Sequence, residues 1–360
     1  MDTAPPELLR ERLLPWYRAV ARDLPWRRRP TPYQVLLSEL MLQQTRVETV
    51  IPYFERFVAR WPTLEALAAA SDEEVLGAWA GLGYYRRARS LLAAARAARD
   101  RGGLPRDPDA LRRLPGVGPY TAGAIASIAH GVPAAAVDGN VERVLCRVDG
   151  VHDDPRRAAA RRALTARAEA ITAPGVAGEV TQALMELGAT VCTPRRPRCD
   201  RCPWSDACVA RAAGEAEQLP RLPARKAPRA EEGVAGLLVD EGRVLLGQRP
   251  PGLLGGLWEP VLGQGVPRTA AAIRDVFAAR TGLTVEVTGA LGEVRHVFTH
   301  RVLTLDVHAV RRVGGRLRGD GSYEALAWAD LEAPGLPLSV LARKLLACGA
   351  RSPSPVAADR

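Results

Sequence analysis

Leu-Pro-Gly-Val-Gly-Pro-Tyr-Thr-Ala-Gly-Ala-Ile at Leu114–Ile125, followed by Val-Asp-Gly-Asn-Val-Glu-Arg-Val-Leu at Val137–Leu145, is the stretch whose reading decides the fold. Asp107-Pro108 pairs an N-cap with a first-turn proline, so a short helix over Asp109–Leu114 is expected to stop at Pro115 and a second to restart after Gly118. Gly116 and Gly118 free the connecting turn to aim its amides, with the next helix's N-terminus, at a phosphate oxygen. A plain glycine turn between two helices is the bland alternative and the preferred one on the turn alone, since most helical turns bind nothing; features further along the chain overturn it. Asp138 poses the same question, being an N-cap by position and a candidate catalytic carboxylate by its neighbourhood.

The rest of the chain narrows the choice. Its 360 residues allow two domains, each with its own core. No apolar run reaches transmembrane length, and Met1-Asp2-Thr3-Ala4-Pro5-Pro6 lacks the basic-then-apolar layout of a secretory signal. A cytoplasmic, nucleoid-associated monomer without a membrane partner is therefore expected. A formal charge of +10 and a pI near 9.8 favour a polyanionic partner, with nucleic acid the leading candidate. The only lysines are Lys226 and Lys344, so residues 1–225 contain no side-chain amine. Four of the six cysteines form Cys192-x6-Cys199-x2-Cys202-x5-Cys208, which argues for a metal site rather than disulfides. Thiolate softness alone suits zinc and a [4Fe–4S] cluster equally.

Helices are expected over Glu7–Ala21, after the Thr31-Pro32 cap, and over Val47–Phe57, Thr63–Ala69, Asp72–Ala80, Arg156–Ile171 and Val180–Ala189, with Leu24–Arg27 an extended elbow. Glu39 stands inside the apolar block Val35–Leu42 with Gln43 one turn on, and burial there would raise its carboxyl enough for a general acid. Gly81-Leu82-Gly83-Tyr84-Tyr85-Arg86-Arg87 reads as a loop that places a ring between bases and arginines on phosphates. Residues 1–213 thus form an all-α domain that includes the cysteine loop, and 214–232, rich in proline and charge, a linker. Residues 233–350 change to short β-rich runs around a helix over Thr269–Arg280, an α+β domain, and 351–360 read as a disordered tail.

From Leu24 to His300 these residues resemble the adenine DNA glycosylases of the helix-hairpin-helix superfamily. The resemblance rests on Leu24–Arg27, Ser38–Thr45, Gly81–Tyr85, the hairpin, Val137–Val141 and the four cysteines. It implies a base-flipping repair enzyme that removes adenine mispaired with 8-oxoguanine or guanine in duplex DNA, with Cys192, Cys199, Cys202 and Cys208 on a [4Fe–4S] cluster. By motif, Glu39 resembles the acid that protonates adenine and Asp138 the carboxylate that supports the oxocarbenium-like sugar, with Tyr120 and Asn140 beside them. Trp26, Arg27 and Glu186 are similar to residues lining the adenine pocket, and Gln43 and Tyr84 to residues that enter the DNA stack. Related lyases place a lysine where Tyr120 stands, and without an amine in residues 1–225 no Schiff base can form, which implies a monofunctional glycosylase. The second domain resembles a Nudix-related domain for 8-oxoguanine, with Phe298-Thr299-His300 matching its Phe-Ser-His loop. Ala278 and Ala279 stand where a Nudix hydrolase carries metal carboxylates. Two other classes compete: a silent damage-binding protein, which has little need of Glu39 and Asp138, and a Nudix nucleotide hydrolase, which the two alanines oppose.

Overall fold

A computed structural model describes residues 3–223, 227–252 and 254–350, so the expected tail at 351–360 lies outside the described residues. The first half of the chain is helical: α1 Pro6–Val20, α2 Pro25–Arg28, α3 Pro32–Leu42, α4 Val47–Arg60, α5 Leu64–Ala69, α6 Asp72–Trp79, α7 Arg86–Arg99, α8 Pro108–Arg112, α9 Pro119–Ala124, α10 Gly139–Val148, α11 Ala158–Ile171, α12 Ala177–Thr190 and α13 Val209–Ala212. The second half runs β1 Arg229–Asp240, β2 Arg243–Gln248, β3 Trp258–Gln264, α14 Ala270–Thr281, β4 Leu283–Val297, β5 Arg301–Gly315, β6 Ala325–Asp330 and α15 Val340–Ala350. Contacts divide the chain into two compact units, Met1–Ala70 with Arg87–Ala224, and Ser71–Arg86 with Arg225–Arg360. The sequence-based division kept Ser71–Arg86 with the helical residues.

In the first unit, side-chain oxygens set the helix starts. Thr31 accepts from the Gln34 amide, Asp107 from Ala110 and Asp138 from Asn140 and Val141, each satisfying amides that a helix leaves without partners. Leu24–Arg27 is not an extended elbow, because Pro25 takes the first position of the one-turn helix α2. α3 is buried almost throughout, from Tyr33 to Met41, and packs on α4 and α9. A second cluster joins α1, α10, α11 and α12 through Leu9, Leu13, Leu145, Ile171, Leu184 and Leu187. α8 and α9 form the expected hairpin. After α9 the chain loosens into a π turn over Ile125–Ala129 and then an irregular stretch that ends at Asp138.

In the second unit a mixed sheet runs β4-β5-β1-β3-β2-β6. β1 and β5 are parallel, and the other named pairs antiparallel. α14 covers one face through Ile273 and Phe277, and α15 the other through Leu341 and Leu345. Two expectations fail here. β1 begins at Arg229, inside the stretch read as linker, because Arg229–Glu232 pair with Arg301–Thr304 of β5. β3 has no counterpart among the expected runs, since its residues from Trp258 to Gly263 are buried on both faces and show no alternation.

Candidate active site and cysteine centre

α3 holds Glu39 at 5% exposure. The Tyr120 hydroxyl, from the first turn of α9, donates to its Oε2 at 2.5 Å. Burial pushes the Glu39 carboxyl up to about 7; the Asp138 charge acts in the same direction, and the Tyr120 hydrogen bond and the Arg27 charge oppose it. Burial, then the neighbouring Glu39, drives the Tyr120 phenol well above its ordinary range, so it stays a donor. The pair is a carboxyl that carries a proton near neutrality and a hydroxyl that orients it.

Asp138 fills the N-cap role and lies close enough to Glu39 for its charge to act on that carboxyl. It caps α10, accepting at Oδ1 from the amides of Asn140 at 3.0 Å and Val141 at 2.8 Å, while Asn140 Nδ2 donates to Oδ2 at 3.1 Å. These donors hold a carboxylate in place next to an acid that is easier to keep protonated because of it. Asn140 is fixed in turn by Arg143, whose Nη2 donates to its Oδ1 at 2.9 Å and to the Gly188 carbonyl at 2.8 Å. Gly188 is required here, because a Cβ on it would lie 2.7 Å from Asn140 Cβ.

The expected pocket residues also meet. Glu186 on α12 is fully buried and takes a bidentate pair from Arg22, at 2.7 and 2.9 Å, and a bond from Arg27 Nη2 at 2.8 Å. Burial alone would raise its carboxyl, but the Arg22 hydrogen bonds and the Arg27 charge outweigh it and hold Glu186 below the usual range. Trp26 is buried edge-on to Phe54. Arg22 escaped the sequence reading.

Gln43 ends α3 as its C-cap. Gly116 and Gly118 differ in what they need. Gly116 has φ +73°, and a Cβ there would meet Ser90 Cβ at 2.3 Å, whereas Gly118 has an ordinary φ and open space where its Cβ would be. The chain itself gives Gly118 no steric reason to be glycine. Within the second unit, Tyr84 is 47% exposed at φ +49°, and its hydroxyl lies 3.0 Å from Thr299 Oγ1. Thr299 and the exposed His300 form the β4–β5 turn, which is closed by the Phe298 amide donating to Arg301. Tyr85, by contrast, is buried and donates to the Leu338 carbonyl. Ala278 and Ala279 are exposed on α14, and Tyr323 fills the space that a Gly247 side chain would take.

Cys192, Cys199, Cys202 and Cys208 line one cavity together with Arg147 and Arg211. Burial pushes the Cys202 thiol up to about 12 and also raises Cys208, so thiolates there call for a cationic metal core. The loop is anchored to the helices by Trp204, 1% exposed, donating to the Leu9 carbonyl at 2.8 Å. Arg147 donates to the carbonyls of Thr193, Pro194 and Leu219, and Arg143 to that of Cys192. Neither arginine was singled out from sequence, although a pair one turn apart among Val144, Leu145, Cys146 and Val148 is a sign of buried cations with partners. Of the other cysteines, Cys146 is buried as expected, and Cys348 only half-buried.

Residues 37–170 match the family model of the HhH-GPD superfamily base excision DNA repair proteins, 192–208 that of the iron–sulfur binding domain of endonuclease III, and 234–348 that of the NUDIX domain. The chain is 40% identical to the adenine DNA glycosylase of Homo sapiens over 374 residues, 87% of this chain and 68% of that protein. It is 48% identical to the adenine DNA glycosylase of Mycolicibacterium smegmatis over 206 residues, 56% of this chain and 69% of that protein. Among solved structures, a thermostable thymine-DNA glycosylase is similar over 58% of this chain and 97% of its own, with 29% identity and a TM-score of 0.52. With the iron–sulfur family matched over the four cysteines, the [4Fe–4S] alternative prevails over zinc.

Proposed function

We propose, on the premise that this chain belongs to the adenine DNA glycosylase family, that it excises adenine paired with 8-oxoguanine or guanine, as a monomer acting on cytoplasmic genomic DNA. The enzyme is a base excision repair glycosylase with DNA as its partner. The observation that carries the reading of its chemistry is Glu39, a buried carboxyl with a pKa of about 7, bonded to Tyr120 and close enough to Asp138 to feel its charge. With adenine flipped from the stack, Glu39 gives its proton to the base, so that adenine leaves neutral rather than as an anion. Asp138, held by the Asn140 and Val141 amides, supports the positive charge that develops on the sugar, and water completes the hydrolysis. Glu186 with Arg22 and Arg27 forms the ordered polar part of the base pocket, beside Trp26. Tyr120 occupies the position of the related lyases' amine, so the product keeps an intact strand with an abasic site. Cys192, Cys199, Cys202 and Cys208 would hold the [4Fe–4S] cluster, which would cross-link their loop. The Nudix-like residues, with alanines at 278 and 279, serve recognition of the lesion strand through Thr299 and His300 and not pyrophosphate hydrolysis.

Incubating the protein with a duplex containing adenine opposite 8-oxoguanine tests this. Strand breaks should appear after alkali and not before it. Breaks without alkali would assign a lyase activity, and none after alkali would leave only damage binding.

A further inference from the structure

The arginine-rich start of α7 reads in the sequence as a phosphate-facing surface, but Arg87 is 6% exposed. Its Nη1 donates to the carbonyls of Leu40 at 3.0 Å and Met41 at 2.7 Å, and to that of Gln43. Its Nη2 donates to Thr45 Oγ1 at 2.9 Å. Leu40 and Met41 lie in the last turn of α3, where carbonyls have no partner along the helix and where the helix dipole favours a cation. Gln43 and Thr45 belong to the loop beyond it, which turns through Gln44 at φ +58°, a left-handed conformation that a non-glycine residue adopts only when its surroundings impose it. One guanidinium thus grips the end of the helix that bears Glu39 and, on the other side of the turn, the loop that bears Gln43. The planar fork of donors makes this possible, and an ammonium cannot span the same set.

We propose that Arg87 is a positioning residue for adenine excision, holding the Gln43–Thr45 loop in fixed register with the Glu39 helix. The inference rests on the excision reading above and on Gln43 entering the duplex stack. Insertion of the loop and presentation of the acid are then one rigid-body event, because the loop cannot shift without pulling on the carbonyls that follow Glu39. Arg87 acts through Gln43 and Glu39 and does not itself reach the reacting atoms.

The test uses the full-length, cluster-loaded protein and two readouts. One is the single-turnover excision rate. The other is the emission of a 2-aminopurine placed beside a 2′-fluoro target adenosine that cannot be cleaved, which rises when the stack is opened. Arg87→Lys keeps the charge and loses the fork. It should slow excision roughly a hundredfold, as expected of a reacting group displaced by about 1 Å, and should abolish most of the emission rise. The pH at which the Glu39 limb of the rate falls should stay where it is. Thr45→Val, which removes the Oγ1 that accepts from Arg87 and donates to the Gln43 carbonyl, should lower the emission rise by less and decides the matter if Arg87→Lys does not fold. Wild-type emission in both variants, or in Arg87→Lys with only the rate reduced, overturns the proposal. A wild-type protein that opens the stack but releases no adenine would instead overturn the excision reading.

Discussion

Glu39 and Glu186 are both buried glutamates on helices of the first unit, and their surroundings drive their carboxyls in opposite directions. Glu39 meets a neutral hydroxyl and a neighbouring negative charge, so burial wins and its pKa rises to about 7. Glu186 meets two guanidiniums, at 2.7 and 2.8 Å, so ionisation wins despite full burial. Burial alone therefore says little about what a carboxylate can do; the charge of its hydrogen-bond partner decides between a proton donor and a fixed anion.

The comparison breaks most visibly at Glu39. Glu39→Gln can still accept from Tyr120 but has no acidic proton, so single-turnover excision should fall by about 10²- to 10⁴-fold while lesion binding holds. Near-normal excision by this variant would remove Glu39 from the mechanism. The matching change, Glu186→Gln, should act on stability instead. It leaves Arg22 and Arg27 facing a neutral amide, and chemical denaturation should show a loss of about 3–5 kcal/mol, as for other buried pairs deprived of one partner.

The two glutamates should also give stability opposite slopes with pH. Glu39 titrates at about 7 folded and at 4.5 unfolded, so the folded state holds the extra proton and stability falls as pH rises through that window. The change amounts to roughly 3 kcal/mol at 1.36 kcal/mol per pH unit. Glu186 is depressed, so its contribution is present above the ordinary glutamate range and lost as pH falls below it. Glu39→Gln should flatten the slope between pH 4.5 and 7 and leave the acid side alone. The smallest effect is expected from Tyr120→Phe. Losing a hydrogen bond that lowers the Glu39 pKa should move the alkaline limb of the rate profile to higher pH. A limb that stays put, or moves down, would mean that Tyr120 does not orient the acid.

Local features of this site were legible in the sequence. Thr31, Asp107 and Asp138 announce their helices because capping needs only a side-chain oxygen and amides two or three residues on. Glu39 announced its burial by its apolar flanks. Long-range pairs were not legible in local pattern: Tyr120, 81 residues from Glu39, was placed beside it only by the resemblance, and Arg22, 164 from Glu186, stayed hidden. Arg22, Arg87, Arg143 and Arg147 share one cause of concealment, since in a chain this basic an arginine reads as a solvated charge until its carbonyl partners are known. β3 was missed for a different reason: Trp258–Gly263 is buried on both faces, and a strand with no solvent side has no alternation to read.

The central claim is that Glu39 keeps its proton near neutrality while Glu186 does not. Carbon-13 NMR of the carboxyl groups, on protein labelled at glutamate Cδ and titrated from pH 4.5 to 8.5, tests it most directly. One resonance should titrate at about 7 and disappear in Glu39→Gln, while the resonance lost in Glu186→Gln should be more ionised than those of the surface glutamates at the start of the titration. A Glu39 resonance that shows full ionisation at pH 5, or that titrates together with the surface glutamates, would contradict the account.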